Sequence, residues 1–315
     1  MKKIGIVFPG QGSQTVGMLT DIAREYSIVQ EVYREASEIL GYDLWRLVSE
    51  GPAEELDKTA QTQPALLAGS YAIWKILFNQ VKHKPSLLAG HSLGEYTALV
   101  CAQALSFADA IRLVAARGRF MQEAVPAGQG GLAAIVGLDE NTVRAICEQA
   151  VSGAEVLSPA NFNSHGQVVI AGHRTAIERA LGLAGKAGAK IAKLLPVSVP
   201  SHCVLMKPAA DRLAELLATI DIQKPKFSVL SNVDVTLYIR PEEIRDGLVR
   251  QLYMPVRWVE VVHEFINHGV TYLVECGPSR VLTGLNRRIG AELTLMHTGD
   301  LRSLRELLDT EFEIE

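Results

Sequence analysis

Cysteine is scarce in this chain and never grouped: Cys101, Cys147, Cys203 and Cys276 lie far apart and form no C-x-x-C pair. That spacing excludes a zinc ribbon, a dithiol redox motif and a dense disulfide framework, and it fits reduced, buried thiols in a cytoplasmic protein. There is no apolar run long enough to span a bilayer, because Gly, Ser and charged residues cut every hydrophobic stretch. The first apolar segment, ending at Phe8, is too short for a signal peptide. Positive charge is not in excess: a net charge of −4 argues against a general nucleic-acid binder, which needs a basic face. Internal repeats and low-complexity tracts are also missing. With 48% hydrophobic and 21% charged residues in 315, the chain has material for a sizeable core.

Strand-like and helix-like segments alternate, which predicts an α/β fold with a mainly parallel sheet. Strands are expected at 3–8, 86–89, 226–231 and 270–275, with helices at 22–40, 63–78, 93–104, 108–123, 207–220, 258–268 and 281–289. The middle has another rhythm: strand 131–137, helix 140–150, strands 155–161 and 167–171, helix 174–187, strand 190–195. That order, β-α-β-β-α-β, is the order of a ferredoxin-like unit. We therefore expect a large α/β-hydrolase-like domain, 1–126 and 198–315, with a ferredoxin-like subdomain inserted at 127–197, and a frayed acidic tail at 311–315. A cleft between the two would suit a substrate.

Gly90-His91-Ser92-Leu93-Gly94 has the spacing G-x-S-x-G and sits where an apolar strand meets a helix. A serine at such a corner is lifted off the sheet and lies at a helix N-terminus, where free backbone N–H groups can hold an oxyanion. The alternative is a structural turn. Serine needs a base. Among eight histidines, His91 adjoins Ser92 and would point away, and His83, His173, His263 and His268 stand in charged or amphipathic stretches. His202 lies on a loop leaving the inserted unit and would face the cleft, which makes it one candidate among several. Gly10-Gln11-Gly12 fails the dinucleotide spacing, since the next glycine is Gly17. It reads either as a loop aiming N–H groups at an anion or as a tight turn. Arg117 could clamp a carboxylate in a bidentate fork, but the sequence does not separate it from Arg112 or Arg119.

Taken together, these segments resemble the malonyl-CoA:acyl-carrier-protein transacylases of bacterial fatty acid synthesis. The matching stretches span nearly the whole chain: Phe8-Pro9-Gly10-Gln11-Gly12-Ser13-Gln14, Gln61-Thr62-Gln63-Pro64-Ala65, Gly90-His91-Ser92-Leu93-Gly94-Glu95, Arg117-Gly118 with Phe120-Met121-Gln122, Asn161-Phe162-Asn163-Ser164, Gly166 through Gly172, Val197 through His202, Gln251-Leu252-Tyr253, and Glu275 with Gly277-Pro278. The resemblance implies Ser92 as nucleophile, His202 as base, the Gln11 and Leu93 amides as oxyanion hole, and Arg117 as ligand of the malonyl carboxylate. It also implies that a main-chain carbonyl, at Gln251, orients the imidazole in place of an acid. The partners it implies are malonyl-CoA and acyl carrier protein, through a ping-pong serine ester, with no cofactor, no metal, no nucleic acid and no membrane. Ser279, His165 and Met254 depart from the family's usual glycine, proline and asparagine. Carrier proteins of this kind are acidic, so a basic rim is expected, with Lys207, Arg280, Arg287 and Arg288 as candidates. Two rivals remain on the sequence alone: a serine hydrolase or thioesterase, and a non-catalytic acyl-binding module.

Overall fold

The computed structural model describes residues 3–80, 84–197 and 199–310. His83, Ser198 at the expected unit boundary, and the tail 311–315 lie outside the described residues. Strands β1 (Lys3–Phe8) and β2 (Leu87–Gly90) come first. Next come β3 (Gly130–Val136), β4 (Leu157–Ser164), β5 (Gln167–His173) and β6 (Ile191–Leu194), then β7 (Val270–Glu275) and β8 (Thr294–His297).

The first sheet has the order β2-β1-β7-β8 with every pair parallel. Strand β2 is buried throughout and β1 is buried beyond Lys3, as expected of parallel strands covered on both faces. The period-2 rule divides their side chains. Ile4, Ile6 and Phe8 pack into the core under helices Thr59–Gln80 and Phe107–Ala124, while Val7 faces Trp258, Val261 and Phe265.

The second sheet is antiparallel with the order β4-β5-β3-β6. Numbered within the unit, that is 2-3-1-4, the ferredoxin-like arrangement. Ala133, Ile135, Val168 and Ile170 pack against Val143, Ile146, Ile177 and Ala180 of helices Glu140–Ala150 and Arg174–Lys186. The alternate residues Leu132, Val169 and Ala171 face the opposite way, toward Cys203. Main-chain bonds tie the second sheet to the segment before helix Trp258–Asn267: Phe162 N donates to Val256 O (2.9 Å), and Val256 N to Ala160 O (2.9 Å).

Two expected elements differ. The segment 226–231 is not a strand; it makes only isolated bridges, Leu88 with Val229 and Leu230 with Leu237. Pro225 precedes it, and a turn closed by Ser231 N to Thr236 O (2.9 Å) bends it off the sheet edge. The expected helix 22–40 is two, Thr20–Ala23 and Ile28–Leu40. Helices Leu44–Glu50, Ala53–Leu56, Pro241–Gln251 and Leu301–Leu308 and strand β8 were not expected. The described cysteines are all free and buried. No helix of the described residues is long and apolar enough to cross a membrane.

Candidate active site

The site is built on the corner after β2. A Cβ on Gly90 would overlap the carbonyl carbon of Gly94, and one on Gly94 would overlap the carbonyl oxygen of Phe8 on β1. Only glycine at both positions lets helix Gly94–Cys101 start this close to the strand ends. Between them Ser92 takes a left-handed backbone, φ 51°, an unusual conformation for a residue with a side chain. Asn232 holds that conformation: its Oδ1 accepts the Ser92 N–H (2.7 Å) and its Nδ2 donates to Gly90 O (2.6 Å).

His202 meets Ser92 here. Its own φ is 65°, and its N–H is fixed to Leu252 O at 2.8 Å. Its Nδ1 lies 2.7 Å from the main-chain oxygen of Gln251, and its Nε2 lies 2.8 Å from Ser92 Oγ. A carbonyl only accepts, so Nδ1 carries the proton and Nε2 offers its lone pair to the serine hydroxyl. Burial, and next the charge of Arg117, push the imidazole pKa down to about 3. The imidazole is therefore neutral, with Nε2 free to accept a proton.

Arg117 stands on helix Phe107–Ala124 and is 1% exposed. Its Nη1 donates to Gln63 Oε1 (2.8 Å), and its Nη2 donates to Gln251 Oε1 (2.9 Å) and approaches Ser92 Oγ (3.3 Å). Its Nε is buried with no partner among the described residues. The guanidinium is held by neutral amides and keeps donor capacity for an anion beside the serine. Arg112 instead makes an exposed ion pair with Asp109, and Arg119 lies over the Phe120 ring. The structure thus separates the three arginines that the sequence left together.

The Gln11 and Leu93 amides border the same cleft, and no hydrogen bond within the described residues takes either N–H. A Cβ on Gly10 would overlap His91 O, so the loop after β1 lies directly on the corner. The cleft measures about 400 Å³. Its far wall is the outer face of the antiparallel sheet, with Leu132, Val169 and Leu195. Among the described residues no group of His, Cys, Asp and Glu is arranged to hold a metal ion. His173, His263 and His268 work elsewhere: His173 accepts Val156 N, His263 faces His165, and His268 turns to Glu264.

Sequence reasoning gave no role to Gln63, Glu95 or Asn232. Gln63 and Glu95 sit among apolar residues of their helices, a polar residue on an apolar stretch being the signal for both, and both are buried. Asn232 carries no local signal, because it follows the irregular segment. Burial pushes the Glu95 carboxyl up to about 7, against the opposing pull of Tyr238, Gln251, Asn232 and Arg117. Ser279, which stands where the family favours glycine, donates from Oγ to Glu275 Oε1 (3.1 Å). Glu275 also accepts Thr283 N (2.6 Å), so the serine joins the network that holds this turn.

The acyl transferase domain family matches residues 6–291. The malonyl CoA-acyl carrier protein transacylase of Haemophilus influenzae is 58% identical over 306 residues, 96% of this chain and 97% of its own. An acyl carrier protein S-malonyltransferase structure from Vibrio cholerae is 54% identical with a TM-score of 0.94, covering 97% of this chain and 100% of that one. A malonyl-transacylase solved in complex with its type II PKS acyl-carrier protein is 53% identical with a TM-score of 0.96, covering 98% and 99%.

Proposed function

Because the chain belongs to the malonyl-CoA:acyl-carrier-protein transacylases of the acyl transferase domain family, we infer that it moves the malonyl group of malonyl-CoA to the phosphopantetheine thiol of acyl carrier protein. The product supplies fatty acid biosynthesis. The observation that carries the reading is one constellation: Ser92 Oγ bonded to His202 Nε2 at 2.8 Å, with Arg117 Nη2 3.3 Å from the same oxygen.

In the proposed sequence Ser92 gives its proton to His202 Nε2 as Oγ attacks the thioester carbon. The Leu93 and Gln11 N–H groups hold the tetrahedral oxyanion. Collapse expels the CoA thiolate, which takes the proton from His202 and leaves as thiol. The carrier thiol then gives its proton to His202 and attacks the serine ester, and the proton returns to Ser92 as it departs. The Gln251 carbonyl keeps Nδ1 protonated throughout, so the relay needs no carboxylate. A malonyl ester on Ser92 carries its free carboxylate within reach of Arg117. A charge-assisted hydrogen bond contributes roughly 1.5–3 kcal/mol, and an acetyl group forgoes it while leaving a buried guanidinium less satisfied. The unit at 127–197 forms one wall of the cleft. We place the protein in the cytoplasm, in keeping with its reduced, buried cysteines.

The test is intact mass after incubation with malonyl-CoA alone. A malonyl-sized adduct is expected on the wild type and not on Ser92→Ala, and it should be discharged by phosphopantetheinylated carrier protein. Steady CoA release into water with no adduct would favour a hydrolase. Neither adduct nor release would favour a binding module.

A further inference from the structure

Glu95 touches neither Ser92 Oγ nor the cleft, yet it bonds both segments that hold the site. Its Oε1 accepts Tyr238 Oη (2.6 Å) and Asn232 N (3.3 Å), and its Oε2 accepts Gln251 Nε2 in a short bond. Asn232 fixes the Ser92 corner; Gln251 faces Arg117 with its side chain and His202 with its main chain. The Gln251 amide has donors and acceptors on opposite sides. Toward Nε2 lie two acceptors, Glu95 Oε2 and Ser92 O (2.9 Å); toward Oε1 lies a donor, Arg117 Nη2 (2.9 Å). Turned over, the amide would set two donors against each other at Arg117 and two acceptors against each other at Glu95.

We propose that Glu95 is a positioning residue that locks the Gln251 amide in one orientation and so holds Arg117 in place to select a carboxylate-bearing acyl group. The proposal rests on the reading of Arg117 as the malonyl carboxylate's ligand. It assigns Glu95 the work of an acceptor at a fixed place. A glutamine keeps the acceptor toward Gln251 Nε2 by turning its amide nitrogen toward the Tyr238 hydroxyl, which accepts as well as donates, but there it forgoes the long bond from the Asn232 N–H (3.3 Å), which only donates.

The experiment measures kcat/KM for acylation of Ser92 by malonyl-CoA and by acetyl-CoA on the same sample, so that the ratio is independent of the folded fraction. Glu95→Leu is expected to lower the malonyl-to-acetyl ratio by about tenfold to a hundredfold, the equivalent of one charge-assisted hydrogen bond, and Glu95→Gln to lower it less, since it keeps the acceptor for Gln251 Nε2 and loses the Asn232 contact. An unchanged ratio in Glu95→Leu overturns the proposal, and so does equal loss in both variants, which would assign the effect to the charge or to the Asn232 contact and not to the Gln251 amide. If Glu95→Leu does not fold, Glu95→Asp replaces it. That variant keeps the charge but retracts the acceptor by one methylene, so its ratio is expected to fall, and a retained ratio overturns the proposal. Arg117→Ala is the control. If it leaves the wild-type ratio intact, the carboxylate reading fails and the proposal with it; if it erases the ratio while Glu95→Leu does not, only the proposal fails.

Discussion

A buried imidazole beside a guanidinium holds a proton poorly, and His202 has both neighbours. Its ordinary pKa of 6.5 falls to about 3, so the free base is present well below neutrality. A group that must be deprotonated to work loses activity only as pH falls toward its own pKa. Single-turnover malonylation of Ser92 should therefore show no protonation step at the ordinary histidine value between about pH 5 and pH 7. The Glu95 carboxyl, pushed up to about 7, can add a step of its own in that window. A step that persists in Glu95→Gln would mean that His202 is better hydrated than its packing indicates. Ser92 was open to inference because a strand meeting a G-x-S-x-G corner is a local signal, whereas His202 stayed one candidate among several histidines until the family resemblance singled it out. Arg117 was less so, although a signal existed. Ala110, Val114, Gly118 and Met121 mark the buried stripe of its helix at helical spacing, and Arg117 stands within that stripe. Arg112 and Arg119 stand off it.

At the level of elements, backbone approach decides which positions tolerate change. Gly90 and Gly94 are pressed together at the Ser92 corner, whereas Gly182, on helix Arg174–Lys186, has nothing within 4 Å of an added Cβ. Gly90→Ala should force the helix off the strand end and cost more than about 3 kcal/mol, the size of the larger core disruptions. Gly182→Ala removes unfolded-state freedom on an exposed helical face and should stabilise by about 0.5–1 kcal/mol. Urea unfolding of the two variants checks both signs, and a neutral Gly90→Ala would refute the close-packed corner. The same physics explains what the sequence left unread. Helix Pro241–Gln251 carried a start signal, Pro241 with Glu243 bonded back to the Arg240 N–H, but its low apolar content hid it. The segment 226–231 looked like a strand because it is apolar and buried in part; its pairing is limited to bridges by the proline before it and the turn after it.

At the scale of the whole molecule, the cleft runs between two sheets, and its rim must receive a carrier protein large enough to touch both. Arg280 borders a surface hollow of about 490 Å³ that shares Gly12 with the active cleft. Arg288 reaches across the seam to Gln167 of the antiparallel unit, Nη1 to Oε1 at 3.2 Å. Between them Val281 is 47% exposed, an apolar spot beside basic side chains. An acidic partner would be drawn to this rim by its basic side chains, despite the chain's net charge of −4. Arg280→Glu and Arg288→Glu should therefore raise KM for acyl carrier protein by about tenfold together while leaving the rate of Ser92 malonylation by malonyl-CoA unchanged. Because exposed charges are screened, the gap between variant and wild type should narrow as ionic strength rises. An equal rise in the KM for malonyl-CoA would place these arginines on the CoA path instead. No change in either would put the docking face on another side of the cleft, with Lys207, beside the Tyr253 ring near the His202 loop, as the next position to reverse.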